Sequence, residues 1–173
     1  VLNIDMVSVG SGNNHAKVHT FQKYMLVGDF DVQVDFELLS FPTSEYPWAS
    51  LQLINYWIDD VNRPSEEARA LVKYDGGRYY GGEVRHNGIP ALLDGSGSYA
   101  ATSDNSGKFR VTRVGNTAYT YYWNGSSWTL LESGTIGSNN MAIGLWVYSN
   151  GAEPSVNFDN LVVNSADAVL HAI

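Results

Sequence analysis

Residues 28–39 read GDFDVQVDFELL. Phe30, Val32, Val34, Phe36 and Leu38 alternate with Asp29, Asp31, Gln33, Asp35 and Glu37, so the pattern has a period of two. Successive side chains of a β-strand point to opposite sides, which makes one face of this segment apolar and the other wet. A strand buried on both faces would be apolar throughout. This one therefore belongs to an antiparallel sheet with an exposed outer side.

Working outward, related runs start at Trp48 (WASLQLINYW), Ala70 (ALVKY), Arg78 (RYYGGEVRH), Lys108 (KFRVTRV), Thr117 (TAYTYYW), Ser127 (SWTLLES), Met141 (MAIGLWVYS) and Ser155 (SVNFDNLVV). Between them stand Asp75-Gly76, Asn87-Gly88, Asp94-Gly95, Gly115-Asn116, Asn124-Gly125 and Asn150-Gly151. Such pairs supply the positive φ values that tight hairpins need. The one helical signal is SEEARAL at 65–71, where Pro64, Ser65 and two glutamates resemble a helix start; it predicts a single turn. Roughly ten strands without crossover helices predict an all-β, antiparallel two-sheet sandwich. The first dozen residues and the tail SADAVLHAI fall outside the alternation and suit an edge strand and a docked terminus.

With 173 residues, 44% of them hydrophobic, the chain can enclose one sizeable core, and a single domain over 1–173 is expected. A formal charge of −8, with no local cluster of Lys and Arg, repels a polyanion and argues against nucleic acid as partner. No run reaches the roughly 18 to 20 apolar residues of a membrane helix, so membrane insertion is not expected. Val1 opens no leader-like segment, which suggests a mature or excised domain. The chain has no cysteine, which removes thiolate chemistry and Cys-ligated zinc.

The order of GDFDVQVDFELL, KFRVTRVGNTAYTYYWNGSSW, MAIGLWVYSNG and VNFDNLVV resembles the concanavalin A-like lectin/glucanase superfamily, in particular its laminin-G-like and secreted bacterial carbohydrate-binding branches. The likeness covers roughly residues 15 to 165 and is a pattern of strands rather than of catalytic residues. It implies a jelly roll of two curved sheets, sugar bound on a concave face or at edge loops, a structural calcium on the outside, and a secreted or cell-surface location.

Catalytic signatures of that superfamily are missing. Retaining glucanases of the fold resemble one another in an ExDxxE strand motif that sets two carboxylates on one face, and this chain has none. Asp29, Asp31, Asp35 and Glu37 fit a solvated outer face better. Alginate-lyase-like members use a Gln-His pair plus a Tyr on the concave sheet, whereas Gln52 is followed by Leu53, Ile54 and Asn55, without the histidine. His86, near Tyr79 and Tyr80, is the one substitute base, and a lone histidine at a strand end is more often simply exposed. HExxH, Walker A and GxSxG motifs do not occur.

The aromatic residues carry the functional expectation. If Ile143, Leu145 and Val147 face the core, then Ala142, Gly144, Trp146 and Tyr148 face outward, small residues beside large flat ones. The same logic puts Leu51 and Leu53 inside and leaves Trp48, Ser50, Gln52 and Tyr56 on the other face. A pyranose offers apolar C–H faces, to which Trp and Tyr present a rigid plate with a polar edge. Gln52 is expected to meet sugar hydroxyls, and Tyr79, Tyr80 and Arg85 to close one end of the groove, where Gly81 and Gly82 let backbone come near. The ribbon TAYTYYW has a sufficient structural explanation in cross-strand packing. By resemblance, Asp159 is expected to hold calcium with oxygens of the N-terminal loop near Asn13; six to eight oxygen ligands suit an acidic chain. The expected function is a non-catalytic, lectin-like carbohydrate-binding module of a larger secreted or surface protein, with a polysaccharide or other glycan as ligand. A glycan-active lyase or hydrolase and a purely structural or adhesive sandwich are the alternatives.

Overall fold

The computed structural model describes residues 1–7, 14–20, 24–55, 66–87, 89–90 and 99–170. The described residues form strands only: β1 (Leu2–Asp5), β2 (Asn14–His19), β3 (Tyr24–Ser40), β4 (Trp48–Asn55), β5 (Glu66–Tyr74), β6 (Arg78–His86), β7 (Ile89–Pro90), β8 (Tyr99–Ala101), β9 (Ser106–Val114), β10 (Thr117–Trp123), β11 (Trp128–Thr135), β12 (Ala142–Ser149) and β13 (Ser155–Leu170). They pair antiparallel into two curled sheets of a jelly roll. Sheet I runs β1-β13-β3-β9-β10-β11; sheet II runs β2-β12-β4-β5-β6-β7, with β8 also on β6.

The core lies between the sheets, and the alternation around Phe30 gives its first wall. Phe30, Val32, Val34, Phe36 and Leu38 are all buried, with Phe36 stacked on Phe109 at 4.4 Å. Ala49, Leu51 and Leu53 of β4, Val72 of β5, and Leu145 and Val147 of β12 meet them from sheet II. The polar face of β3 is ordered by β9: Arg110 forks onto Asp31 at 2.8 and 2.6 Å, and Lys108 reaches Asp35 at 2.8 Å. Lys108 stands directly opposite Asp35, whereas Arg110 stands opposite Gln33 and reaches Asp31 diagonally.

One local expectation changes. The segment 66–71 is not a helical turn but the start of β5, in which Ala68, Ala70 and Val72 point inward and Glu67, Arg69 and Leu71 outward. Alanine and glutamate favour helix in isolation, yet pairing with β4 and β6 along the whole strand outweighs that preference. Arg113, which shares a face with Phe109 and Val111, is buried with them. Its guanidinium donates to the carbonyls of Gly28 and of Asn139 (2.7 Å), and lies 4.8 Å over the Phe30 ring. It closes one end of the core by giving partners to carbonyl oxygens there.

The tyrosine ribbon turns at Gly115, whose φ of 59° needs no Cβ to be accommodated. Ala118 and Thr120 enter the core, and Tyr122 packs against it, stacked on Tyr80 at 4.4 Å. A register shift between Thr120 and Tyr121 lets the rest of β10 pair with β11. On the outer side, Arg110 lies over Tyr121 and Trp128 at 5.7 and 5.6 Å. Much of the ribbon is thus wall, as cross-strand packing predicts.

Candidate functional site

Sheet II presents a different outer face. Since Leu145, Val147, Leu51, Leu53, Ala70 and Val72 point inward, their alternating neighbours point out, and directly opposed residues of adjacent strands share that face. The register builds rows across β12, β4, β5 and β6. One row is Tyr148, Trp48, Lys73 and Tyr79; the next is Trp146, Ser50, Leu71 and Gly81; the next is Gly144, Gln52, Arg69 and Glu83; the last is Ala142, Ile54, Glu67 and Arg85. One end of the face is aromatic and the other is ionic.

At the aromatic end, Trp48 and Tyr148 stack with centroids 5.2 Å apart and planes at 15°, and Trp146 meets Trp48 edge-on at 4.8 Å. His15 and Lys17, opposed to Tyr148 and Trp146 on β2, flank the cluster; Lys17 Nζ is 5.2 Å from the Trp146 centroid. The Trp146 Nε1 and Ser50 Oγ atoms are buried and have no hydrogen-bond partner among the described residues.

At the ionic end, Glu83 receives Arg69 on one carboxylate oxygen and Arg85 on the other. Glu67 lies 3.5 Å from both guanidinium groups and accepts a hydrogen bond from Gln52 Nε2. The Arg69 guanidinium also stacks 4.8 Å from the Trp48 ring, joining the two ends. Burial disfavours its charge, and Glu67 and Glu83 more than offset this, so Arg69 is held above the ordinary guanidinium range. Burial likewise works against the Glu83 carboxylate, but Arg69 and Arg85 prevail and hold it below the ordinary range.

A cleft of about 340 Å³ opens over this face. Leu71 lies in its floor, Trp48, Tyr148, Tyr46 and Tyr99 form its aromatic sides, and Arg69, Glu83, Arg85 and Glu132 its charged end. Tyr99, from β8, is draped over Gly81: a Cβ there would stand 2.9 Å from the ring, so the strand must be glycine for the lip to lie flat. Lys73 Nζ sits 4.1 Å from the Tyr99 centroid. Glu132 comes from the other sheet, where β11 abuts the backbone of β6 at Gly82. Burial first, and then nearby Glu83, push its carboxyl up against a hydrogen bond from Ser133 N.

Of the residues expected from sequence, Trp48, Tyr148 and Arg85 line the cleft. Trp146 shares their face but lies beside the cleft, packed among His15, Lys17 and Trp48. Gln52 is on the face yet only 1% exposed, its amide engaged by Glu67, which corrects the expectation that it meets ligand hydroxyls directly. Tyr79 supports the lip, 6.5 Å from Tyr99. Tyr80 is a plain correction: it points into the core, 1% exposed, and its hydroxyl donates to Asp104 Oδ2 at 3.0 Å. Tyr56 lies outside the described residues. Sequence reasoning missed Arg69, Glu67 and Glu83; reading 66–74 with period two instead of as a helical turn would have put Glu67, Arg69, Leu71 and Lys73 on one face.

His86 is not simply exposed. Its Nδ1 lies 2.8 Å from Glu66 Oε1, and Glu66, buried, also accepts from Gly137 N at 2.7 Å. This pair stands on the core side of β5 and β6 and ties a loop to sheet II. Asp159 is exposed at the surface of sheet I; its carboxylate accepts from Asn160 N at 2.8 Å, and this bond foremost, then the N-terminal ammonium, holds it below the ordinary range. Among the described residues no group of three His, Asp or Glu stands ready for a metal ion, so these residues alone do not make a calcium shell. The segment near Asn13 lies outside the described residues.

No protein-family model matches this sequence, and no curated protein matches it. Solved structures do share the fold. A functionally unknown protein from Saccharomyces cerevisiae is similar with a TM-score of 0.62 at 17% identity, over 87% of this chain and 73% of that one. A family 7 alginate lyase, A1-II′, in complex with product is similar with a TM-score of 0.56 at 15% identity, over 95% and 79%. The carbohydrate-binding module CBM66 from Bacillus subtilis is similar with a TM-score of 0.51 at 13% identity, over 90% and 84%. At these identities the likeness is one of fold.

Proposed function

We propose that this chain is a non-catalytic glycan-binding module of the concanavalin A-like type, one domain of a larger secreted or surface protein, and that it holds its ligand in the cleft on sheet II. The observation that carries this reading is the stacked Trp48–Tyr148 pair lining a cleft on the water-facing side of its sheet. Aromatic rings on an outer face are not needed for the core, and they offer apolar plates with polar edges to a sugar ring. The fold is one that a carbohydrate-binding module also adopts, which supports the reading.

Affinity electrophoresis against a panel of polysaccharides tests it. The wild-type chain is expected to be retarded by at least one of them, and Trp48→Ala or Tyr148→Ala to weaken that retention by about tenfold or more, a stacking contribution of roughly 1.4 kcal/mol. Retention unaffected by both substitutions would move the ligand elsewhere; no retention at all would favour a structural or adhesive sandwich. A structural calcium at Asp159, completed by oxygens near Asn13, is a separate part of the proposal. An unchanged Tm on adding a chelator would remove it.

One observation favours a second reading. Glu83 and Glu132 both line the cleft, and their surroundings move the two carboxyl groups in opposite directions, the division expected of a base and an acid. Release of oligosaccharide from any polysaccharide, abolished by Glu132→Gln, would establish a glycan-active enzyme instead.

A further inference from the structure

The charged end of the cleft looks, by composition, like a site for an acidic sugar. Its connections say otherwise. Among the described residues the lining carries the cations Arg69, Lys73 and Arg85. Both arginines are held by Glu83 and flanked by Glu67, and Lys73 Nζ lies 3.7 Å from Asp75 and against the Tyr99 ring. Each oxygen of Glu83 is taken by a different arginine, so a ligand carboxylate meets guanidinium groups whose charge is already balanced, and a full fork onto either one must compete with Glu83. Arg69 is further fixed by packing on Trp48. Breaking a partly buried ion pair to form another leaves the expelled carboxylate without a partner, which is a strong penalty.

The balance of charge points the same way. Asp75, Glu83 and Glu132 line the cleft and Glu67 stands behind it, against the three cations named. The whole chain carries −8. A polyanion therefore meets an unfavourable field at long range and satisfied cations at short range. Hydroxyl groups face neither difficulty. They can donate to free lone pairs of the carboxylates and accept from outward N–H groups while the ion pairs stay intact.

We propose that the cleft selects uncharged glycans and rejects polyuronates and sulfated chains. This rests on the glycan-binding reading above, and it names the chemical class of ligand for that same site. A cationic polymer is less suited than a neutral one at short range, because Glu83 and Glu67 are already engaged by Arg69 and Arg85 and Asp75 lies beside Lys73.

The test compares three probe classes on the wild-type chain at low and high salt: uncharged polysaccharides (glucomannan, laminarin, and arabinoxylan free of uronic acid), polyuronates (alginate, polygalacturonate) and the polyamine chitosan. Retention by an uncharged polymer is expected, changing less than about twofold with salt because no net charge is neutralised, while both polyuronates bind at least about tenfold more weakly. Glu83→Gln supplies a second arm: freeing both arginines is expected to create salt-sensitive retention on polyuronate that the wild type lacks, with the melting transition confirming a folded variant. A wild-type preference for polyuronate or chitosan, falling as salt rises, overturns this inference and leaves the glycan-binding reading standing. Retention by none of the three classes overturns that reading, and this inference with it.

Discussion

Ser50 illustrates how much of the site depends on single atoms. Its Oγ is buried on the outer face of β4, between Trp146 and Leu71 in register, and has no partner among the described residues. A buried hydroxyl without a hydrogen bond costs about 1 kcal/mol or more, so Ser50→Ala is expected to leave stability unchanged or raise it by about 1 kcal/mol, seen as a higher Tm. A clear fall in Tm would mean that the hydroxyl has a partner after all. Residues are also where the sequence is hardest to read. In Tyr79-Tyr80 one ring must face in and one out, and nothing local says which. The answer comes from β5, where Tyr80 stands opposite inward-facing Val72. The fate of Gln52 is set by Glu67, a residue on the next strand that no local pattern connects to it.

At the scale of elements, the strands themselves were legible because alternation and turn chemistry agree. GDFDVQVDFELL became the middle of β3, and the hairpin at Gly115 turns where the Gly-Asn pair stands. The start of β5 was not legible, because alanines suited to a crowded core are also good helix formers. Parity on β4 and β12 was readable, so the outward placement of Trp48, Trp146 and Tyr148 followed; the ionic end, built largely on β5 and β6, did not. Contact between the two sheets yields a prediction here. A Cβ on Gly82 would stand 2.4 Å from Thr120 Oγ1, 2.7 Å from Glu132 Cβ and 2.8 Å from Leu131 Cβ. Gly82→Ala must push β11 away from β6 and is expected to cost about 2 kcal/mol, a Tm loss of several degrees. An unchanged Tm would show that the strands are not in contact there.

For the molecule as a whole, pH dependence follows from carboxylates shifted in opposite senses. Asp31 is held below its ordinary value of 3.8: burial opposes this, and the fork from Arg110 overcomes it. A depressed folded value means stability that is present above the ordinary value and is lost as pH falls through the folded one. Glu132 is raised above 4.5, so its folded state favours the proton and stability declines as pH rises from 4.5 through the folded value. Thermal melts across roughly pH 2 to 8 are expected to show Asp31→Asn flattening the acid limb and Glu132→Gln flattening the decline above 4.5. Curves identical to wild type would reject these assignments. The all-β sandwich was evident from the sequence, but not the order of strands within its sheets, because pairings such as Leu2 with Phe158 join distant parts of the chain.

That ordering has a temporal consequence. The central β3 has β13 as one of its two neighbours, and β4 has β12, so each sheet draws a middle partner from the last part of the described chain. While the chain is being made, β3 and β4 wait with one edge bare, each long enough to template the wrong strand. Native pairing must then be completed late and across long sequence distances, which is slow for such topologies. During synthesis this protein is expected to depend on whatever shields those edges until residues 142–170 have emerged.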